Sequence, residues 1–187
     1  MRLGFAVVLV GTLALSTGCS AARDGSPAQA YTPTAADCGP ASAGQRSVLA
    51  TPDWQKFGDA VRVCAVHAGT QRPQLFIASV WADVWYAAQP NGAETQAMPL
   101  PLLLGPGGER LGELPANFPT DPPAQLELRF LNWKAGLPNE IRLCVRSPTA
   151  AGDQPLSPLT YRSGLGRYEP AGPAPNASLK DDCHGRR

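Results

Sequence analysis

QLELRFL (Gln125–Leu131) and EIRLCVR (Glu140–Arg146) are the two stretches that decide the fold class. In the first, Leu126, Leu128 and Phe130 alternate with Glu127 and Arg129; in the second, Ile141, Leu143 and Val145 alternate with Arg142, Cys144 and Arg146. Side chains along a strand point to opposite faces in turn, so each stretch reads as a strand with one apolar and one polar face. Paired antiparallel, they bring Glu127 near Arg142 or Arg146, a favourable cross-strand charge pair. The eight residues between them, Asn132–Asn139, read as a loop carrying one large aromatic, Trp133.

Working outward, strand signals dominate. Ala60–His67 is Val-rich. Gln74–Ala88 reads as one long strand with a bulge near Ala82-Asp83, because Val, Ile, Phe, Trp and Tyr are abundant and Pro90-Asn91-Gly92 follows as a hairpin turn. The i, i+4 spacing of Phe76, Val80 and Val84 also admits a helix. Ala93–Met98 is the expected return strand. Pro99 and Pro101 then block a central strand, so Leu102–Leu104 is expected at an edge, with Glu109–Leu114 pairing back after the turn Gly105–Gly108. Pro115–Pro123 is a loop and Leu156–Arg162 a last weak strand. Thr51–Gly58 reads as one helical turn, with Thr51 as N-cap, Pro52 in the first turn and Gly58 as the stop. About seven short strands with minimal helix predict an all-β antiparallel sandwich, immunoglobulin-like or transthyretin-like.

Composition agrees. The chain has 20 Pro and 19 Gly in 187 residues, about a fifth of the total where roughly 12% is usual. The formal net charge is +1 and no basic patch is visible, which argues against nucleic acid as a partner. At 43% hydrophobic, the chain can bury a core.

The N-terminus reads as a sorting signal. Arg2 precedes the apolar run Leu3–Leu15, which has the length of a signal-peptide core and is short of the roughly 20 residues that a membrane span needs. Leu15-Ser16-Thr17-Gly18-Cys19 resembles a bacterial lipoprotein lipobox, with Ser16 where Leu is usual. The resemblance implies cleavage before Cys19 and lipidation of that cysteine. An ordinary secretory signal and a retained helical anchor are the other readings of the segment. Removing residues 1–18 takes away Arg2, one of 16 basic residues, and leaves the remainder formally neutral against 15 acidic ones. Attachment would then rest on acyl chains. The expected organisation is a signal peptide (1–18), a lipidated N-terminus and Pro/Ser/Ala-rich tether (19–45), the sandwich (46–162) and a Pro/Gly-rich C-terminal tail (163–187). Ser20 after the cysteine favours the outer membrane if the host is a diderm.

Beyond Cys19, Cys38, Cys64, Cys144 and Cys183 form an even set. In an exported chain this reads as two disulfides, with three connectivities open. Cys64 and Cys144 lie on the arginine-bearing faces of their strands. From there they could staple the segments carrying Cys38 and Cys183; a Cys64–Cys144 bridge would instead join Cys38 to Cys183. The long spacings give no zinc ribbon.

Few residues suggest chemistry. His67 and His184 are the two histidines, and Asp181, Asp182 and His184 form the one group that suggests a metal; the plainer reading is a solvated tail. No cofactor, metal site or catalytic motif is expected. Asp83, an acid within an apolar run, is the best candidate for a glycan hydrolase. Trp81 and Trp85, on one face of the long strand, could with Trp133 offer an aromatic platform to an envelope protein or polysaccharide. A lipid-anchored binding or structural role is the first expectation, and an envelope hydrolase using Asp83 is the alternative.

Overall fold

The computed structural model describes residues 30–33, 37–68, 72–89, 97–117, 125–147, 152–172 and 183. The elements are β1 (Ala30–Tyr31), α1 (Ala43–Val48), α2 (Pro52–Gln55), β2 (Val61–Val66), β3 (Leu75–Val80), α3 (Ala82–Ala87), β4 (Leu102–Leu104), β5 (Arg110–Glu113), β6 (Gln125–Lys134), β7 (Leu137–Arg146), β8 (Gln154–Arg162) and β9 (Arg167–Pro170). A 3-10 turn, Gly58–Ala60, leads into β2.

Two antiparallel sheets form, ordered β1-β6-β7-β8-β9 and β2-β3-β4-β5. Each holds four strands of three or more residues, and the two-residue β1 flanks β6, so the all-β sandwich stands with more strands than the expected seven. The inner faces meet in a core of Leu75, Ile77 and Leu103 against Leu126, Leu128, Ile141 and Leu143. The other face of the β2–β5 sheet is covered as well: Leu49, Trp54 and Phe57 pack on Val63, Ala78, Val80 and Leu104. Two-sided burial explains why β3 and β4 read as continuous apolar runs. Burying Phe57, at 1% exposure, contributes roughly 2 kcal/mol. At one edge the sheets touch. A Cβ on Gly112 would fall 3.1 Å from Tyr168 Cβ, so a residue with no side chain lets β5 and β9 approach.

The β6–β7 hairpin is tighter than expected. Both strands extend into Asn132–Asn139, leaving Ala135-Gly136 as a two-residue turn with φ of 50° and 79°, the positive values of a type I′ turn.

Four expectations need correction. Gln74–Ala88 is not one strand: β3 stops at Val80, opposite Val61, the first residue of β2. Trp81 N–H still donates to the Ala60 carbonyl at 2.9 Å, but Gly58–Ala60 is a 3-10 turn that carries the ladder no further, so past Trp81 the backbone satisfies itself locally as α3, beginning with Trp85 N–H to Trp81 C=O at 2.9 Å. Leu102–Leu104 is not an edge strand. β4 lies between β3 and β5, because both prolines precede its ladder residues. The paired region also extends past 46–162 on both sides, since Ala30–Tyr31 pairs with β6 and Arg167–Pro170 with β8. Lastly, Cys64 does not lie on a solvent-facing side; it shares the inter-sheet face with Ile77, its ladder partner. The Pro90-Asn91-Gly92 turn and most of Ala93–Met98 lie outside the described residues, and Ala97 and Met98 are irregular.

The helical turn expected at Thr51–Gly58 forms over Pro52–Gln55, with Thr51 at its N-cap position but giving no side-chain cap bond, and it stops at Lys56; Gly58, at φ 48°, opens the next 3-10 turn instead of ending the helix. Unforeseen was α1, although Ser42-x-x-Gln45 is a capping box: Ser42 N–H donates to Gln45 Oε1 at 2.9 Å and Gln45 N–H to Ser42 Oγ at 3.4 Å.

Candidate functional site

The four cysteines pair as Cys38–Cys64 and Cys144–Cys183. Each strand cysteine therefore staples a terminal segment, one of the arrangements the strand pattern allowed. Cys38 and Cys64 form a small buried cluster with Trp81. Two disulfides fit a domain exported to an oxidising compartment.

Trp81, Trp85 and Trp133 do not form one platform. Trp81 is 3% exposed, turned onto the Cys38–Cys64 bridge. Trp85, four residues on along α3, is half-buried and meets the Phe57 ring edge-on at 5.0 Å between centroids. Trp133 packs against Phe130 at 6.0 Å on the far sheet; Asn132 before it, at φ 55°, breaks the strand alternation. What remains accessible is a solvent-open recess of about 250 Å³ beside α3, lined by Lys56, Phe57, Asp59, Val84, Trp85 and Ala88. Tyr86 lies exposed on the same helix.

Asp83 sits in the first turn of α3 and is exposed. The premise that it is an acid inside an apolar strand fails with the strand itself. His67 follows β2 and is exposed; His184, Asp181 and Asp182 lie outside the described residues. Among the described residues no cluster of three or more His, Cys, Asp or Glu could hold a metal, and no helix is long and apolar enough to cross a membrane.

The most developed polar arrangement lies on the outer face of the β6–β7–β8 sheet. Glu127, 8% exposed, receives Arg129 Nε at 2.9 Å on one oxygen and Arg146 Nε at 2.8 Å on the other. Of the two partners offered to Glu127 in the sequence, it takes Arg146. Arg146 also binds Asp153, which accepts from Ser147 N–H at 3.2 Å. The hydrogen bond to Glu127 first, then that to Asp153, raises the Arg146 pKa against the opposing effect of burial. Arg142 pairs with Glu140 at 2.6 Å. Beside this row runs a groove lined by Glu127, Arg129, Arg142, Cys144, Leu156 and Cys183. Each acid here is taken up by an arginine, so the face is built to hold itself together and presents no free acid–base pair. Beyond the Glu127 pair, the network had no sequence signal, because Asp153 reaches Arg146 only through the β7–β8 turn.

Comparison with family models, with curated proteins and with solved structures found no match.

Proposed function

We propose that this chain is a lipid-anchored protein of the cell envelope whose β-sandwich binds or holds an envelope partner, a protein or a surface polymer. The observation that carries the reading is the apolar run Leu3–Leu15 ending at Leu15-Ser16-Thr17-Gly18-Cys19, joined to a domain with two disulfides. A signal of that kind delivers a chain to the compartment where such bonds persist. Acyl chains on Cys19 would tether a domain that carries almost no net charge of its own. The recess beside Trp85, with an ammonium and a carboxylate at Lys56 and Asp59, combines an aromatic wall with polar groups, the composition of a ligand-binding surface.

The anchor is tested by expressing the full chain and its Cys19→Ser variant with a radiolabelled fatty acid. The reading expects label and membrane fractionation for the first and neither for the second. Membrane retention of Cys19→Ser without label would overturn the lipid anchor. The binding role is tested by co-sedimentation of the chain, expressed from Ser20 onward, with purified cell-wall polysaccharide. Binding weakened by Trp85→Ala, in a variant that keeps its far-ultraviolet spectrum, supports the recess; binding unaffected by it excludes the recess.

A further inference from the structure

The recess beside α3 has a composition that separates one class of partner from the others. Its largest accessible apolar group is the half-buried Trp85 indole. Phe57, the other aromatic lining it, is 1% exposed, and Lys56 Nζ sits 5.1 Å over the Phe57 ring. Around the indole stand the Gln55 amide, the Lys56 ammonium and the Asp59 carboxylate. All three are exposed, and their side chains make no hydrogen bond or ion pair among the described residues.

Trp85 is also held at a cost. Its Nε1 is enclosed and has no hydrogen-bond partner among the described residues, and a buried indole N–H left unpaired is unfavourable. A phenylalanine would pack on Phe57 without that cost. What tryptophan adds is a wider ring face, fixed by the edge-on contact with Phe57 at 5.0 Å and so ordered before any ligand arrives.

We infer that the recess takes one ring of an uncharged hexopyranose chain, an assignment that rests on the binding role proposed above. The C–H groups on one face of a pyranose carry partial positive charge and stack on the negative face of the indole ring. The hydroxyls around the sugar both donate and accept. Asp59 accepts, Lys56 donates and Gln55 does both, so the three side chains supply the partners those hydroxyls need. Lys56 and Asp59 cancel in charge, which favours an uncharged ligand over an acidic or a basic one. At about 250 Å³ the recess falls below the roughly 300–1,000 Å³ that encloses a whole small molecule, and it is open to solvent, so a chain can continue beyond the ring it holds. A protein anchor would need deeper apolar burial than a recess whose second aromatic is already covered.

The test titrates the full chain, in a detergent without a sugar headgroup, with neutral tetrasaccharides of glucose, mannose, galactose and N-acetylglucosamine, and with a tetragalacturonate as the acidic counterpart, by calorimetry. At least one neutral sugar should bind with Kd below about 1 mM, and the tetragalacturonate more weakly. Trp85→Phe should weaken binding at least about threefold with no fall in the urea midpoint, whereas a tryptophan with a merely structural role would change the midpoint and leave affinity alone. Asp59→Asn should weaken it by about tenfold. No binding of any neutral sugar, tighter binding of the tetragalacturonate, or an affinity indifferent to Trp85→Phe would each overturn the assignment. If every sugar fails while an identified envelope protein binds and loses affinity with Trp85→Ala, the glycan falls and the binding role stands.

Discussion

Arg129 and Arg142 stand directly opposite each other across the β6–β7 ladder, and each carries its own carboxylate two residues away on its own strand, Glu127 at 2.9 Å and Glu140 at 2.6 Å. Facing like charges destabilise a sheet, and the two acids convert the repulsion into an alternating row. The two acids are not equivalent. Glu127 is buried and serves two arginines, whereas the Arg142–Glu140 pair is a single ion pair in a more open setting, with side chains 36% and 24% accessible.

Glu127→Gln should therefore lower stability in urea unfolding by about 2 kcal/mol, because it removes the counter-charge of two partly buried guanidinium groups. Glu140→Gln should cost under about 1 kcal/mol, the range of screened surface pairs. An equal loss in the two variants would contradict this ranking.

Two tyrosines predict an alkaline limit to stability. Burial, and then the charge of Asp37, push the Tyr31 hydroxyl up to about 12. Burial, and then Tyr161, push the Tyr168 hydroxyl up as well. Both folded values lie above the unfolded value near 10. Their contribution is full below that pH and is lost as pH rises through the folded values, because the unfolded chain then releases protons more readily. Denaturant midpoints should fall above about pH 10, and phenolate absorbance should show a late fraction that Tyr168→Phe reduces. At neutral pH, Tyr168→Phe should cost about 1 kcal/mol through loss of the 2.7 Å hydrogen bond to the Pro138 carbonyl.

The turn after β4 is locked to the start of α1. Gly108 has φ 95°, and a Cβ there would fall 2.4 Å from the Gly44 carbonyl oxygen. Gly108→Ala combines an unfavourable conformation with a backbone clash and should lose more than about 2 kcal/mol. Ser42→Ala, which removes half of the capping box, should lose about 1 kcal/mol. Thermal melts of the two variants should keep that order.

Removing each disulfide separates chain entropy from packing. The bridges span 26 and 39 residues, so loop closure assigns them nearly equal effects, roughly 3.5 and 4 kcal/mol. A serine pair at 38 and 64 also puts hydroxyls against Trp81 in a buried cluster. The Cys38→Ser/Cys64→Ser variant should be the less stable of the two by equilibrium unfolding, against the ranking from loop length. A larger loss for Cys144→Ser/Cys183→Ser would mean that the loops alone decide.

Local periodicity by itself determined the all-β class, the β6–β7 pair with Leu126, Leu128 and Ile141 turned inward, and the helical turn at Pro52. The parity of the cysteines pointed to two disulfides, and the arginine-bearing face of β7 placed Cys144 correctly, while the same reasoning misplaced Cys64. These are properties of a few neighbouring residues, and a strand writes its two faces into its own alternation. Only the tertiary structure decided where a ladder runs out and which faces are covered. β3 gives way to α3 because the chain before β2 turns away as the 3-10 turn Gly58–Ala60 after one last bond, Trp81 N–H to the Ala60 carbonyl; Trp81 is buried on a disulfide and the three tryptophans are scattered. Leu102–Leu104 becomes central because β5 closes over it, and Arg167–Pro170 becomes a strand because β8 and Gly112 leave room for it. In each case the partner lies elsewhere in the chain, and a segment's own pattern carries no record of what the fold brings beside it.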